Sequence, residues 1–88
     1  MMRTEEKLVL IEDFAPEAKL MTGFDDCIIG LCTRFGMDTV VLYDRDKVLE
    51  KLVKREGMTY EEAVEFFEYN QIGAWVGEGT PAFAEIFD

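Results

Sequence analysis

The clearest hydrophobic pattern in the chain is helical and lies in its second half. A helix over residues 45–56 is predicted because apolar residues there recur at the spacing of one helix face. Asp44 is a favoured N-cap residue type, and Gly57 is suited to the left-handed conformation that ends helices. The apolar stripe consists of Val48, Leu49, Leu52 and Val53.

A second helix follows almost at once. Thr59 and Glu62 have the spacing of a capping box, in which each side chain bonds the other residue's backbone N–H. The helix that they open is predicted over residues 60–71. Only Met58 separates Gly57 from the new cap, so the two helices should form a tight αα-hairpin.

Two segments have the composition of strands. Residues 39–43 are β-branched and aromatic and form the clearest strand in the sequence. Residues 8–11 are a short apolar run bounded by charged residues, and they predict another strand. The glycine-rich tail, residues 73–83, is typical of an extended segment, a turn and a second extended segment.

A third helix is predicted over residues 23–35. Thr22 and Asp25 have the form of a helix start, and Gly36 would end the helix. Gly30 within it would cost about 1 kcal/mol relative to alanine, which indicates another element packed closely there. The apolar face repeats at i, i+3, i+4 and i+7: Ile28, Leu31, Cys32 and Phe35.

These elements predict an α+β fold in which three helices pack on a small sheet built around residues 39–43. We expect one domain over residues 1–88, with residues 1–20 as an N-terminal arm that is a candidate for mobility. The predicted core consists of Ile28, Leu31, Phe35, Val41, Leu49, Leu52, Val64 and Phe67.

Composition and charge exclude several classes of function. The apolar fraction of 49% is enough for a packed core. The net charge of −10 repels phosphate backbones and anionic lipids, so neither direct nucleic-acid binding nor membrane binding is expected. No long apolar run follows the N-terminus, and none elsewhere approaches the length of a membrane span. We therefore expect a cytoplasmic protein.

The chain contains neither histidine nor serine, so it lacks the commonest general base and one common nucleophile. Paired aspartates at 25–26 and at 44 and 46 are explained by helix starts, where negative charge is stabilising. Cys27 and Cys32 would lie about 140° apart on the predicted helix, which excludes a disulfide between them and favours reduced core thiols. We expect no enzymatic activity, no catalytic residues and no cofactor.

The most distinctive chemical feature is an acidic run in the last predicted helix. Glu61, Glu65 and Glu68 share one helix face, since their spacings are four and three residues. Three interpretations remain open: a solvated face, a partner-binding face and a divalent-metal site. The metal interpretation is the weakest, because helix-bundle metal sites combine glutamate with histidine. We therefore predict no metal site.

The distribution of charge along the chain supports the partner-binding interpretation. Residues 58–88 contain seven acidic residues and no lysine or arginine, whereas residues 44–57 carry a net charge of +1. The neighbouring helix could neutralise the acidic face with Lys47, Lys51 and Lys54, or a basic partner could do so. Among the aromatic residues of the tail, Trp75, Phe83 and Phe87, we expect most to fold back over the core, with an exposed interface patch as the alternative.

Three stretches carry a distinctive pattern: Tyr43-Asp44, the run from Gly57 to Asn70, and the run from Gly73 to Pro81. On these stretches, and over most of the chain from about Phe24 to Phe83, the sequence resembles a family of short phage and bacterial proteins of unknown function. The resemblance implies a phage or prophage setting and supplies no catalytic residues.

The resulting hypothesis is a small non-catalytic phage-type accessory protein that binds a protein with a basic surface. One corollary is inhibition of a nucleic-acid-handling or host-defence factor. The alternatives are a small structural homodimer and a carboxylate-metal enzyme site formed across a dimer. The predicted partner-binding residues are Glu61, Glu65, Glu68, Trp75 and Glu78.

Overall fold

A computed structural model describes residues 2–72 and 79–87, with only the backbone described at residues 71 and 72. It is an α+β structure, as predicted. Its elements, in chain order, are α1 (Thr4–Phe14), a 3₁₀ turn (Asp25–Cys27), β1 (Ile28–Cys32), β2 (Val40–Asp44), α2 (Arg45–Glu56), α3 (Tyr60–Phe67), a π-helical turn (Glu68–Ile72) and β3 (Ala82–Ala84).

The three strands form one sheet in the order β1-β2-β3. β1 is antiparallel to β2, and β3 is parallel to β2. Pairing places Val41 and Tyr43 of β2 on the same side as Leu31 of β1 and Phe83 of β3. Val41 and Tyr43 are completely buried, so this side of the sheet is the core side.

The αα-hairpin of α2 and α3 is confirmed. The Asp44 carboxylate accepts hydrogen bonds from the backbone N–H groups of Asp46 and Lys47, at 3.0 and 3.3 Å. Gly57 ends α2 in the left-handed conformation, with φ of +69°. The helices bury the predicted apolar residues Val48, Leu49 and Leu52 on α2 and Phe67 on α3, and they bury Ala63 as well. Two other predicted residues, Val53 and Val64, are partly buried and pack against the core.

Residues 8–11 are helical, so the prediction of a strand there was wrong. They lie within α1, where Ile11 is buried and Leu8 packs against the core beside it. Spacing of three residues places both on one helix face. The other two apolar residues of the run, Val9 and Leu10, are exposed. A run of four apolar residues can therefore lie in a helix of which only one face packs on the core.

The predicted helix over residues 23–35 was also wrong, because β1 occupies the middle of that segment. The register of β1 against β2 shifts between Ile28 and Gly30, as in a β-bulge, so the core residues Ile28 and Leu31 are three positions apart instead of two or four. That spacing imitates a helix face. Phe35 lies beyond the strand and is fully exposed, and a Cβ added at Gly30 would meet nothing within 4 Å.

Besides the pairing of β3 with β2, ring packing and a backbone hydrogen bond hold the tail to the rest of the molecule. Phe83 packs edge-on against Phe67, with ring centroids 4.9 Å apart, and lies 5.8 Å from the ring of Tyr43. Phe83 therefore folds back over the core as expected, but Phe87 does not, since it is 90% exposed. The Gly79 carbonyl accepts a hydrogen bond from the Lys19 backbone N–H at 3.0 Å, which ties the tail to the connection after α1.

Candidate functional site

The outer face of α3 carries the predicted glutamates, and the helix is fixed at its start. The Thr59 hydroxyl accepts a hydrogen bond from the Glu62 N–H at 3.2 Å, and the Glu62 carboxylate accepts one from the Thr59 N–H at 2.9 Å. This is the capping box that the sequence predicted. The Glu62 side chain therefore bonds back to the start of the helix, whereas Glu61 and Glu65 lie on its solvent-exposed face.

Glu61, Glu65 and Glu68 are all exposed. The first two lie on α3, and Glu68 begins the π-helical turn that follows it. None of the three takes part in an ion pair within residues 2–72 and 79–87. The buried side of the same helix is formed by Ala63 and Phe67, so the three carboxylates lie on a face that points away from the core.

The cations of α2 do not neutralise this face. Lys51 pairs with Asp26 at 2.6 Å, and Lys54 pairs with Glu50 of its own helix at 2.8 Å. In the described part of the chain, Lys47 makes no ion pair. The described contacts therefore do not show neutralisation of the acidic face by the neighbouring helix, which was one of the two possibilities that the sequence left open.

Two aromatic residues on the same segment as the glutamates are exposed, and the sequence analysis did not single them out. Tyr69 is 86% exposed and Phe66 is 38% exposed. Their signal was available in the helix period: Phe66 and Tyr69 fall outside the stripe that contains Ala63 and Phe67. We call Glu61, Glu65, Phe66, Glu68 and Tyr69 the acidic-aromatic face.

Two of the predicted partner-binding residues, Trp75 and Glu78, lie outside the described residues. Phe83, for which the sequence left both core packing and an exposed interface open, is partly buried and packs against the core. Of the five predicted residues, the structure describes Glu61, Glu65 and Glu68, which are all exposed on α3 and the turn after it. Phe66 and Tyr69 are exposed on the same segment.

The carboxylates of the described residues do not form a metal-binding cluster. No group of three cysteine, aspartate or glutamate side chains among those residues is arranged to hold a metal ion. A metal site requires several oxygen ligands that converge on one point.

A second charged feature is an open cleft of about 510 Å³ between the 3₁₀ turn and α2. Four cations line it, two of which lie over the ring of the buried Phe24: the Lys51 nitrogen at 5.7 Å and the Arg55 guanidinium carbon at 5.1 Å. The hydrogen bond from Lys51 lowers the pKa of Asp26 below its usual value. The Asp26 carboxylate therefore remains charged, and any anion that entered the cleft would compete with it for Lys51.

Cys27 lies at this cleft but has no nucleophilic character. Burial, followed by the charge of Asp26, raises the pKa of the Cys27 thiol to about 11. A thiol rather than a thiolate is therefore present at neutral pH, and the thiol is the unreactive form. Cys27 and Cys32 are both free thiols, Cys27 buried and Cys32 half-buried.

Within the described residues, no helix has the combination of length and apolar character needed to cross a membrane. Comparisons of the chain with protein-family models, with curated proteins and with solved structures gave no match.

Proposed function

We propose that this chain is a small non-catalytic accessory protein that acts in the cytoplasm by binding another protein through the acidic-aromatic face. The observation that carries the proposal is the set of three exposed glutamates on one side of α3. No cation among the described residues pairs with them, and the exposed aromatic residues Phe66 and Tyr69 directly follow Glu65 and Glu68 in the sequence.

Charge is the first reason that this face suits a basic partner. A patch of one sign on a rigid element raises the rate of encounter with a surface of opposite sign and disfavours partners of like sign. Because residues 58–88 contain no lysine or arginine, the patch is not diluted by cations of its own segment.

The aromatic side chains are the second reason. Tyrosine and other aromatic residues bury a large area at small cost in side-chain entropy, and they are enriched among the residues that dominate binding energy. Tyr69 and Phe66 could provide that contact area while the glutamates provide orientation and specificity. The capped, packed helix α3 holds Glu61, Glu65 and Phe66 in place before binding, which lowers the entropic cost of association, and the π-helical turn that continues it carries Glu68 and Tyr69.

The partner class follows from the charge. Enzymes that handle nucleic acids present basic surfaces to phosphate backbones, and an acidic helix can occupy such a surface. We propose inhibition of a factor of this kind, in the phage or prophage setting that the sequence resemblance implies, as the biological outcome of binding.

The test is retention of host proteins by the immobilised full-length chain at low and at moderate salt. Changing Glu61, Glu65 and Glu68 to glutamine should abolish retention of a basic protein, and retention by the wild type should weaken as salt rises. The matched control changes three other exposed acidic residues by the same total charge: Glu12→Gln, Glu17→Gln and Asp38→Asn.

Equal weakening by the control would show that net charge matters rather than the face, and it would contradict the proposal. So would retention that the α3 changes leave untouched, or no retention at either salt concentration. Tyr69→Ala separates the aromatic contribution, since it removes contact area without changing the charge.

A further inference from the structure

Four of the nine basic residues of the chain line the open cleft of about 510 Å³ between the 3₁₀ turn and α2. All four lie on α2: Lys47, Lys51, Lys54 and Arg55. Asp26 and Glu50 are the acidic lining residues, and the remaining lining residue is Cys27, whose thiol is uncharged at neutral pH. With four positive and two negative side chains, the lining has a net charge of +2, although the whole chain has a net charge of −10. The cleft is therefore a local site of positive charge on an acidic protein.

The spacing of these cations suits a chain of phosphates better than a single phosphate group. Residues 47, 51, 54 and 55 are separated by four, three and one positions, so they share one face of α2. At about 1.5 Å per residue, the row extends about 12 Å along the helix axis. A single phosphate group contacts one or two neighbouring cations of such a row, whereas two or three linked phosphates reach along it.

Arg55 is held in position before any ligand arrives. Its guanidinium donates a 3.2 Å hydrogen bond to the Gly23 carbonyl, and its central carbon lies 5.1 Å from the centroid of the buried Phe24 ring. Gly23 leaves room for this approach, since it has a φ of +88° and a Cβ added there would lie 3.1 Å from a terminal nitrogen of Arg55. The bond to Gly23 and the 3.6 Å contact of Nε with Glu56 leave further donors for an anion, because a guanidinium has five N–H groups.

Lys51 already binds an anion that belongs to the protein itself. Its ammonium donates a 2.6 Å hydrogen bond to the Asp26 carboxylate, whose side chain is 63% exposed and can turn to water when another anion takes its place. Lys54 pairs in the same way with Glu50, which is equally exposed. Within the described residues Lys47 makes no ion pair, so no carboxylate there has to leave.

We propose that this cleft binds a small anion made of two or three linked phosphates, either free or as the phosphate chain of a nucleotide. Lysine and arginine are the side chains that bind phosphate groups in proteins, and arginine does so through two donors at once. The volume of the cleft lies in the range of small-molecule sites. A long polyanion is disfavoured, because beyond the cleft it would run over the acidic surface of the chain and be repelled.

This site is separate from the acidic-aromatic face, since none of the residues of that face lines the cleft. The anion site therefore does not depend on the proposed binding of another protein. Changing Glu61, Glu65 and Glu68 to glutamine should not weaken the binding of phosphate chains.

The test is isothermal titration calorimetry of the full-length chain with tripolyphosphate, pyrophosphate and orthophosphate, at low salt and without divalent cations. Tripolyphosphate should bind at one site per chain and most tightly, and orthophosphate should bind most weakly, because each added phosphate reaches another cation. Raising the salt concentration should weaken binding. A nucleoside triphosphate, titrated in parallel, distinguishes the two sources: equal affinity identifies the phosphate chain as the whole ligand, and higher affinity shows that the nucleoside is bound as well.

Two pairs of variants locate the site. Lys47→Gln should raise the Kd for tripolyphosphate about threefold to fivefold, the effect of one exposed ion pair. Lys19→Gln is its matched control, because Lys19 is also exposed and loses the same charge but does not line the cleft. Asp26→Asn should lower the Kd by a similar factor, since it frees Lys51, whereas Asp38→Asn changes an exposed residue outside the cleft and should have little effect.

Heteronuclear NMR of the wild type locates the ligand without any variant. Tripolyphosphate should shift the amide signals of residues 23–27 and 47–55 more than those of α3. Absence of saturable binding at low salt would overturn the proposal, as would equal weakening by Lys47→Gln and Lys19→Gln or an affinity that Asp26→Asn leaves unchanged. Tighter binding of single-stranded or duplex DNA than of tripolyphosphate would also overturn it, since the cleft would then be part of a nucleic-acid interface.

Discussion

The Tyr43 hydroxyl accepts a 2.8 Å hydrogen bond from the backbone N–H of Met21, a residue 22 positions earlier in the chain. Tyr43 is completely buried in the sheet, so the bond ties the connection before the 3₁₀ turn to the centre of the core. It also gives the tyrosine hydroxyl a partner in a place where an unpaired polar group would be costly.

Tyr43→Phe should lower the free energy of unfolding by about 1–3 kcal/mol, because it leaves the partly buried Met21 N–H without an acceptor. Urea denaturation followed by Trp75 fluorescence or by circular dichroism measures the change. Tyr60→Phe is the control, since Tyr60 is exposed and should change stability by less than about 0.5 kcal/mol. Equal effects of the two substitutions would contradict a structural role for the Met21 bond.

Stability should fall at alkaline pH as the Cys27 thiol is forced to ionise. Burial raises the pKa of this thiol from 9.0 to about 11, so between these values the unfolded chain has released the proton that the folded chain retains. The contribution is fully present below pH 9.0 and is lost as the pH rises through about 11. Urea midpoints measured across this window should decline for wild type.

Cys27→Ala should be less stable near neutral pH, because it leaves a small cavity, but its decline across the alkaline window should be shallower. Burial also raises the pKa of Tyr43, which acts in the same direction, so Tyr43→Phe is measured beside it. Curves for wild type and Cys27→Ala that run parallel from neutral to alkaline pH would exclude this thiol as a cause.

Phe67→Ala should cost about 3–5 kcal/mol, the range for removing a buried aromatic side chain. Phe67 is completely buried, packs against the ring of Phe83 and lies 5.6 Å from the Arg45 guanidinium. Phe87→Ala removes the same atoms from an exposed position and should change the free energy of unfolding by less than about 0.5 kcal/mol. A small change in the free energy of unfolding on Phe67→Ala would contradict a position of Phe67 in the core.

Thr59→Ala should cost about 0.5–2 kcal/mol, since the Glu62 N–H at the start of α3 loses its side-chain acceptor. Thermal unfolding by circular dichroism is sufficient to measure this change. Glu65→Ala serves as the control because Glu65 lies on the same helix and its side chain takes no part in the N-terminal capping box. If Thr59→Ala also weakens retention of a basic partner, presentation of the acidic-aromatic face depends on the cap.

Gly79→Ala should be destabilising by about 1–3 kcal/mol, because its Cβ would lie 2.8 Å from the Glu17 backbone oxygen, which is not a flexible group. Gly30→Ala is the matched control, as its added Cβ meets no atom within 4 Å. Chemical denaturation of the two variants should therefore separate them clearly. Equal stabilities would show that the tail can shift away from the connection after α1 without cost.

The candidate site was only partly visible in the sequence. Helical spacing predicted a common face for Glu61, Glu65 and Glu68, and all three are exposed, the first two on α3 and Glu68 in the turn that follows it. Whether α2 would neutralise it depended on where Lys51 and Lys54 find partners, and those partners are Asp26 and Glu50. Asp26 lies 25 residues from Lys51, so no local pattern could predict this pair.

The elements α1 and β1 were not predictable, because both segments were assigned to the wrong kind of element. Residues 8–11 combine high strand propensity with a spacing that also suits a helix, and strand propensity is easily overridden by tertiary context. In β1 the register shift between Ile28 and Gly30 interrupts the alternation of side chains between the two faces of the sheet. The core residues Ile28 and Leu31 are therefore three positions apart, which is also the spacing of a helix face.

The sequence by itself determined the α2–α3 hairpin, since its caps, its left-handed glycine and its apolar stripes act within a few residues of each other. It also determined β2, whose composition matches a buried strand. The tertiary structure alone decided that α1 is a helix, that β1 is an edge strand and that Phe83 closes the core. Those outcomes depend on which apolar surfaces, far apart in the sequence, pack against each other. Local sequence does not specify these packing partners.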